Sequence, residues 1–395
     1  MEVTLSFCIL RIIVLFVPSC GSSKINIKDH SVVHITHSII QVANITLYID
    51  KHRYVCKDCG KTFTQSISFT SKRNSISNTT KQIILEKLKD NISFSKVAKE
   101  LNVSIQTVIN VFDDNVKVSR NTLPNILCID EFYFKVAKGI KYPCVITGFH
   151  PFKIIDVIRS RQMSQLTHYF GNIMPSERNR VKYFVSDMND TYREIKALFF
   201  PKSIHIIDTF HVVLLFTNAL NMIRKRIMKK YNVKSYEYYF LKTNWKSILM
   251  NSNKLSKKEK VDSKTGEVYT FKERFFNDLM IFPELYEAYM IKDDFLYYEK
   301  KSEVKKVMNM INIFIERCRN ASSEEMRKCG ESLNKWSNEI ANGFIKNEYN
   351  LNITNAKAER MNHTIGDILR NAFGYKSFER LRKRVLYIER EKSKK

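Results

Sequence analysis

Residues 181–208 read VKYFVSDMNDTYREIKALFFPKSIHIID, and this stretch decides the fold class. It opens with a short apolar run that ends at Asp187 and closes with another that ends at Asp208. Between the two runs, apolar side chains recur at the spacing of one helix face: Tyr192, Ile195, Leu198 and Phe199. The pattern predicts a strand, a helix and a second strand, with a carboxylate where each strand ends.

More strands are predicted upstream of this stretch. Turn signals at Lys138-Gly139 and His150-Pro151 separate apolar runs in four segments: 126–130 (ILCID), 132–136 (FYFKV), 142–149 (YPCVITGF) and 153–159 (KIIDVIR). A helical stretch, QMSQLTHYFGNI, follows them. Antiparallel strands followed by helix, strand, helix and strand predict a mixed three-layer α/β arrangement with the chemistry at strand ends.

Three acidic residues are the candidates for that chemistry: Asp130, Asp187 and Glu359. Asp130 ends the run at 126–130, and Glu359 lies in a basic helical segment near the C-terminus. Carboxylates at strand ends can hold two divalent metal ions, which activate a water or hydroxyl and stabilise the leaving oxygen of a phosphodiester. Mg²⁺ prefers such oxygen ligands. A single aspartate after a strand more often caps a helix or turn, and Glu359 alone fits a solvated helix face. The combination favours a metal site.

A second polar cluster follows the last strand. In Asp208-Thr-Phe-His211, the histidine could orient a carboxylate or contact a phosphate. The alternative is that Asp208 caps the next helix and that His211 is merely its neighbour.

The composition points to a globular protein with a polyanionic partner. The chain has 395 residues, of which 44% are hydrophobic, and this excludes a disordered chain. Lys and Arg number 66 against 40 Asp and Glu, which gives a formal charge of +26. This imbalance favours nucleic acid, although a merely basic soluble protein is an alternative. Cys128 and Cys144 fall in apolar strand-like runs, and Cys318 and Cys329 fall in a helical region. All four are typical of buried thiols in a reducing compartment.

Residues 75–115 are predicted to be helical, beginning with the string NTTKQIILEKLKD. The string SFSKVAKELNVSIQTVINVF shows one helix, a break at Asn102-Val103 and a second helix capped by Ser104. The apolar spacing suits a helix-turn-helix, in which Gln106, Thr107 and Asn110 would face DNA bases. The alternative is an ordinary helical hairpin.

The N-terminal region raises two questions. Residues 3–17 are nearly all apolar, so a signal peptide or lipoprotein anchor is one interpretation; Glu2, Arg11 and Pro18 argue against export. The run is short for a bilayer span, and no other segment resembles one, so we expect no membrane partner.

A cysteine knuckle follows in the N-terminal region. Cys56-x-x-Cys59 resembles half of a zinc ribbon, and Cys20 supplies a third thiol. One of His30, His34 and His37 could be a fourth zinc ligand, or the site could be degenerate and metal-free.

Three strings carry a family resemblance: ILCIDEFYFK, VKYFVSDMNDTYREIKALFFPKSIHIIDTFHVV and TNAKAERMNHTIGDILRNAFGYKSFERLRKR. With these strings the chain resembles bacterial insertion-sequence transposases of the DDE type, specifically the ISL-three family, from about residue 17 to 390. It departs from the family pattern at Val17, where the first zinc cysteine would stand, and in the apolar residues before it. A mis-set start or a decayed element copy would explain both departures.

The resemblance implies a ribonuclease-H-like mixed-sheet core with a large all-α insertion, preceded by a zinc-ribbon-like element and a helix-turn-helix domain. The implied divisions are an atypical segment 1–16, the zinc-ribbon-like element 17–70, the helix-turn-helix domain 75–115, the core 124–211 with 346–390, and the insertion 212–345. The implied catalytic triad is Asp130, Asp187 and Glu359 with two Mg²⁺ ions; Asp208 and His211 are auxiliary, and Cys20, Cys56 and Cys59 would bind Zn²⁺.

The predicted function is that of a DNA transposase, which cleaves at transposon ends with a metal-activated water and joins the freed 3′ hydroxyl to target DNA. Its partners would be the terminal inverted repeats and target DNA, bound by a homo-oligomer in the bacterial cytoplasm at the nucleoid. Five arginines are expected to follow phosphates: Arg360, Arg370, Arg380, Arg382 and Arg384. The alternatives are a catalytically inactive, transposase-derived DNA-binding regulator and a nuclease without strand transfer.

Overall fold

A computed structural model of the chain describes residues 14–39, 43–70, 75–132, 142–149, 152–261, 266–301, 306–345, 353, 356–372, 375 and 377–392. The described residues form two compact units. The first contains the described residues up to 120 and from 362 onward, and the second contains those of 121–132 and 142–361.

The strands are β1 (Ile25–Ile39), β2 (Ala43–Cys56), β3 (Thr62–Thr64), β4 (Ile126–Glu131), β5 (Cys144–Gly148), β6 (Lys153–Ile158), β7 (Tyr183–Ser186), β8 (Ile204–Ile207), β9 (Glu259–Val261) and β10 (Val268–Thr270).

The helices are α1 (Asn78–Lys87), α2 (Phe94–Glu100), α3 (Ile105–Asn115), α4 (Met163–Gly171), α5 (Pro175–Arg178), α6 (Asp190–Phe199), α7 (Thr209–Met228), α8 (Tyr236–Thr243), α9 (Trp245–Leu249), α10 (Phe271–Met280), α11 (Pro283–Lys301), α12 (Val307–Arg319), α13 (Glu324–Lys335), α14 (Ser337–Asn342), α15 (Ala356–Asn371) and α16 (Phe378–Lys392). A short 3-10 helix covers Ser252–Lys254.

The first unit begins with an antiparallel sheet in the order β1-β2-β3. The register pairs Ile25 with Cys56, so the residues that precede β1 arrive beside the end of β2. This pairing explains how Cys20 comes near the Cys56-x-x-Cys59 knuckle although the two are far apart in sequence.

Three helices with serine N-caps follow in the first unit. The Ser77, Ser93 and Ser104 side chains accept hydrogen bonds from the first turns of α1, α2 and α3. The predicted cap at Ser104 is therefore confirmed. Asn102, between α2 and α3, has φ +49°, a left-handed conformation that asparagine tolerates better than most residues.

The C-terminal helix α16 packs with α1–α3 in the first unit. Arg384 is 1% exposed and donates to the carbonyl oxygens of Leu88, Asp90 (2.8 Å) and Ile92 (3.0 Å), just beyond the C-terminal end of α1. Its guanidinium also lies over the rings of Phe94 and Phe112. The helices from opposite ends of the chain thus share one core.

The second unit contains a five-stranded sheet in the order β6-β5-β4-β7-β8. β4, β5 and β6 pair antiparallel, whereas β4, β7 and β8 pair parallel. The predicted mixed α/β fold is confirmed at this level. The predicted strand at 132–136 lies almost wholly outside the described residues, and Phe132 itself follows the end of β4.

The two faces of this sheet are covered differently. One face packs on α4 and α6 through a buried apolar cluster that includes Leu127, Ile129, Ile146, Leu166, Phe170, Phe184, Tyr192 and Ile195. The other face carries Cys128, Val185 and Ile206, against which Ile353 packs. Alternating residues of β4 and β7 therefore serve opposite layers, as the strand period requires.

Helices α7 to α14 form a separate apolar core around Phe216, Leu220, Tyr289, Phe314 and Trp336. The expectation that the insertion is all-α is wrong, because β9 and β10 form an antiparallel hairpin within it. The sequence pattern does not reveal the hairpin, because each strand has only three residues and the string 253–267 is highly charged. Within the described ranges, no helix combines the length and apolar character needed to cross a bilayer.

The insertion is anchored on the edge of the sheet at β8. Asn342 donates from Nδ2 to the carbonyl oxygen of His205 (2.8 Å). Gly343 follows, and a Cβ at that position would lie 2.7 Å from the carbonyl oxygen of Ile207. Only glycine permits this close approach of backbone to strand.

Candidate active site

Three aspartates stand at one edge of the five-stranded sheet. The parallel register pairs Cys128 with Val185, and Val185 with Ile206. Two residues further along these strands come three carboxylates in the same row: Asp130, Asp187 and Asp208. Neighbouring strands are about 4.8 Å apart, so the strand pairing brings together aspartates that are distant in sequence.

Asp130 lies on the central strand and is 8% exposed. Its Oδ1 accepts a hydrogen bond from the backbone N–H of Glu131 (2.8 Å). A carboxylate in this position is held in place by its own strand, which suits a metal ligand.

Asp187 follows β7, and its Oδ1 is buried without a hydrogen-bond partner among the described residues. Burial, with the nearby charge of Glu131, raises the pKa of Asp187 to about 6. A buried carboxylate oxygen that nothing satisfies is costly, and a divalent cation would offset that cost. The residues therefore fit the Mg²⁺ that the sequence predicts.

The third aspartate of the row caps a helix. Asp208 is 3% exposed, and its Oδ1 accepts from the backbone N–H of Phe210 (3.1 Å) at the start of α7. Among the described residues, only the cysteine group Cys20, Cys56 and Cys59 has its ligand atoms all within 4.8 Å of one another, so the aspartates are a looser set.

His211 lies on the first turn of α7. Its Nε2 is buried without a hydrogen-bond partner among the described residues, and burial lowers its pKa. The ring is therefore neutral at neutral pH, so its Nε2 can donate or accept one hydrogen bond, depending on the tautomer.

Glu359 is the fourth residue of α15, and its side chain lies outside what the structure describes. Ile353, six residues earlier, packs with Cys128, Val185 and Ile206. These three residues lie directly behind the aspartate row. Ile353 therefore lies on the face of the sheet that carries Asp130.

A network that the sequence did not suggest lies beside Asp187. Arg161 donates to Glu131 (Nη1 to Oε2, 2.9 Å), and the Tyr192 hydroxyl donates to Glu131 Oε1 (3.1 Å). Glu131 directly follows Asp130, and this adjacency is the one sequence signal that could have found it. Its charge acts on Asp187, and Arg161 opposes that effect.

The cysteine cluster forms in the first unit. The Sγ atoms of Cys20 and Cys56 are 3.6 Å apart, and the backbone N–H of Cys59 donates to the Cys56 sulfur (3.4 Å). Two thiolates bound to tetrahedral zinc, each at 2.3 Å, would be roughly 3.8 Å apart, so these residues fit such an ion. All seven described cysteines are free, and four of them, Cys128, Cys144, Cys318 and Cys329, are buried thiols as predicted.

The suggestion that a histidine completes this cluster is wrong. His30 bonds to Asp50 (2.9 Å), and His37 bonds to Ser77 (3.0 Å). Neither these residues nor His34 joins the cysteine group. All three lie along β1. Even His30, the first of them, lies roughly 16 Å along the strand from Ile25, the residue that pairs with Cys56.

The candidate DNA-contacting residues have different environments. Gln106 and Asn110 are exposed on α3 and bond to each other (2.6 Å), while Thr107 bonds to Ser104 (2.8 Å). Arg360 and Arg370 are exposed and Arg382 is half-buried.

Two arginines that were expected to follow phosphates are engaged within the protein. Arg384 is buried against the carbonyl oxygens beyond α1, and Arg380 pairs with Asp113 (2.6 Å). For Arg384 the prediction of a phosphate contact is wrong, because a side chain that is 1% exposed cannot reach DNA. Helical charge patterns do not reveal such burial.

A comparison with curated proteins found no match. A family model described as a transposase, that of the ISL-three group of DDE enzymes, matches residues 127–385, which is more than half of the chain. The match begins in β4, includes the aspartate row and the insertion, and ends in α16. The chain therefore belongs to the ISL-three family of DDE transposases.

Proposed function

We propose that this transposase cleaves DNA at the ends of its element and transfers the freed 3′ ends into target DNA. The observation that carries the proposal is the row of aspartates, above all the buried, unpartnered Oδ1 of Asp187 beside Asp130. A site of this kind needs a cation, and the chemistry of the family is phosphodiester exchange.

The core is proposed to be ribonuclease-H-like. The support is its strand order, with three antiparallel strands followed by two parallel ones that are joined through helices. This order places the ends of β4 and β7 side by side, which is what a paired metal site requires.

Asp130 and Asp187 are proposed to hold both Mg²⁺ ions, with Glu359 completing the shell of one. Bound there, the ions would activate the attacking water or hydroxyl and stabilise the leaving oxygen. Asp130 would contribute a carboxylate fixed by its strand, and Asp187 one whose ionisation depends on the cation. The carboxylates also repel each other without metal, so metal binding and local order should be linked.

Asp208 and His211 are proposed to act as auxiliary groups. Asp208 fixes the start of α7 and so sets the position of His211. The neutral His211 ring, with its free Nε2, would donate to a phosphate oxygen at the edge of the site.

The first unit is proposed to recognise the terminal inverted repeats. Helices α2 and α3 would act as a helix-turn-helix, with Gln106, Thr107 and Asn110 reading base edges. Arg370 and Arg382 of this unit would contact phosphates, as would the exposed Arg360 of the second unit. The cysteine cluster would bind Zn²⁺ within a zinc-ribbon-like element. Action as a homo-oligomer on DNA, in the cytoplasm at the nucleoid, is part of the same proposal.

The experiment is to incubate the full chain with Mg²⁺, a duplex that carries a terminal repeat, and a target plasmid. Repeat-specific nicks and joined products are expected. Nicks without joined products would indicate a nuclease. Binding without nicks would indicate an inactive regulator, and either result would overturn the proposed activity.

A further inference from the structure

The first unit contains two turns of the same geometry. Residues 17–21 read VPSCG and residues 56–60 read CKDCG. In each turn the glycine N–H donates to the carbonyl oxygen four residues earlier, at 2.9 Å in the first and 3.0 Å in the second. The glycines have φ +71° and +69°, a left-handed conformation that favours glycine. The first turn is therefore a structural copy of the second.

This equivalence gives Val17 a specific position. Val17 occupies in the first turn the place that Cys56 occupies in the second, and the two side chains are similarly buried, at 2% and 1% exposed. Cys20 and Cys59 occupy the other equivalent places, and both are exposed. The scaffold thus presents four positions suited to a tetrahedral ion, and a valine fills one of them.

A valine side chain has no atom that can bind a metal. Three sulfurs within 4.8 Å of one another can still hold a divalent ion, but its fourth position has no protein sulfur. The Ser19 hydroxyl lies 3.8 Å from the Cys59 sulfur, and a neutral hydroxyl is a poor substitute for a thiolate. Because Cys20 and Cys59 face solvent, small molecules can reach an ion held there.

We infer that this chain binds a zinc-type ion through the three thiolates of Cys20, Cys56 and Cys59, with an exchangeable fourth ligand. That ligand is water at rest, and a small-molecule thiol can displace it. The inference rests on the proposed metal binding by the cysteine cluster, and it makes the ion more labile than one in a four-cysteine site.

The test is to titrate the reduced full chain with Co²⁺ and record its absorption spectrum. Wild-type chain is expected to show the absorption bands of tetrahedral Co²⁺, with a thiolate-to-metal charge-transfer absorbance that corresponds to three thiolates. Addition of 2-mercaptoethanol, which supplies a fourth thiolate, should raise this charge-transfer absorbance toward the value of the Val17→Cys variant. Val17→Cys should bind Co²⁺ at least roughly tenfold more tightly and ignore the added thiol. Val17→Ala, which adds no ligand, is the matched control and should behave like wild type.

The outcomes separate the two claims. If wild-type chain binds no Co²⁺, both the metal binding and the exchangeable ligand are overturned. If it binds Co²⁺ but the spectrum does not respond to thiol, only the exchangeable ligand is overturned. The thiol titration of wild-type chain decides this even if Val17→Cys fails to fold, and none of these results depends on transposase activity.

Discussion

The carboxylate of Asp187 is buried at the end of β7, where it is costly to ionise. Its pKa of about 6 lies above the ordinary value of 3.8 because of burial first and the charge of Glu131 second. The sequence predicts an aspartate at this strand end, but not its raised pKa. That shift depends on the burial of the carboxylate and on two residues from other segments, Glu131, which raises the pKa, and Arg161, which lowers it.

A raised carboxyl pKa fixes the sign of a pH effect on stability. Between about pH 4 and 6 the folded chain holds a proton on Asp187 that the unfolded chain has lost, so stability falls as pH rises. Without divalent cations, Asp187→Asn should therefore gain about 2 kcal/mol relative to wild type between pH 4 and pH 7.5. Urea unfolding at both pH values measures this gain. A difference that does not change with pH would contradict the assignment, and Mg²⁺ should shrink the gain.

Glu131 should tune the pH dependence of cleavage without being required for it. Glu131→Gln removes the charge that raises the pKa of Asp187 and frees Arg161, which lowers that pKa. Asp187 then ionises at lower pH, so the acid limb of the cleavage rate against pH should move to lower pH. The exposed Glu194 provides a control, since Glu194→Gln should leave the profile unchanged. A shift to higher pH, or none, would refute the coupling.

Single elements follow local sequence rules well in this chain. The Ser104 cap, the helix at 190–199 and the strands at 126–131 and 204–207 lie close to their predicted positions, because each depends on neighbours in sequence. The packing of α16 with α1–α3 was not predictable in this way. Its contacts join residues almost 300 positions apart, such as Arg384 and Leu88, and no local pattern encodes them.

Arg384 should be the main stabilising residue at this contact. Arg384→Met removes hydrogen bonds to three carbonyl oxygens and the stacking on Phe94 and Phe112, so it should destabilise the first unit by about 3 kcal/mol. Arg370→Ala is the matched control: Arg370 is 70% exposed and pairs with Asp367, so its loss should cost less than about 1 kcal/mol. Hydrogen exchange of α1–α3 amides measures both changes. Equal losses of stability in the two variants would refute the stabilising role of Arg384.

At the scale of the whole molecule, the sequence pattern predicts the α/β fold class, and the structure confirms the mixed sheet. The aspartate row could be anticipated in part, because parallel strands end at one edge. The family resemblance already places Val17 where a zinc cysteine would stand. The sequence does not show that residues 17–21 and 56–60 form the same turn, because that match is one of backbone geometry.

The formal charge of +26 predicts strongly salt-dependent DNA binding. If the chain contacts 6 to 10 phosphates, its affinity for a terminal-repeat duplex should fall by about 10³ to 10⁵ between 50 and 200 mM salt. Fluorescence anisotropy across this range gives the slope, and Arg370→Ala should reduce that slope by about one if Arg370 contacts a phosphate. A slope near zero would contradict a binding mode based on phosphates.

The most direct measurement of the central claim is single-turnover cleavage of an end-labelled repeat duplex in Mg²⁺. The variants are Asp130→Asn, Asp187→Asn and Glu359→Gln, with Glu131→Gln as the neighbouring control. Each of the three should slow cleavage at least about a thousandfold while repeat binding persists, and the control should still cleave. Magnesium-dependent cleavage retained by Asp130→Asn or Asp187→Asn would show that the metal ions are held elsewhere.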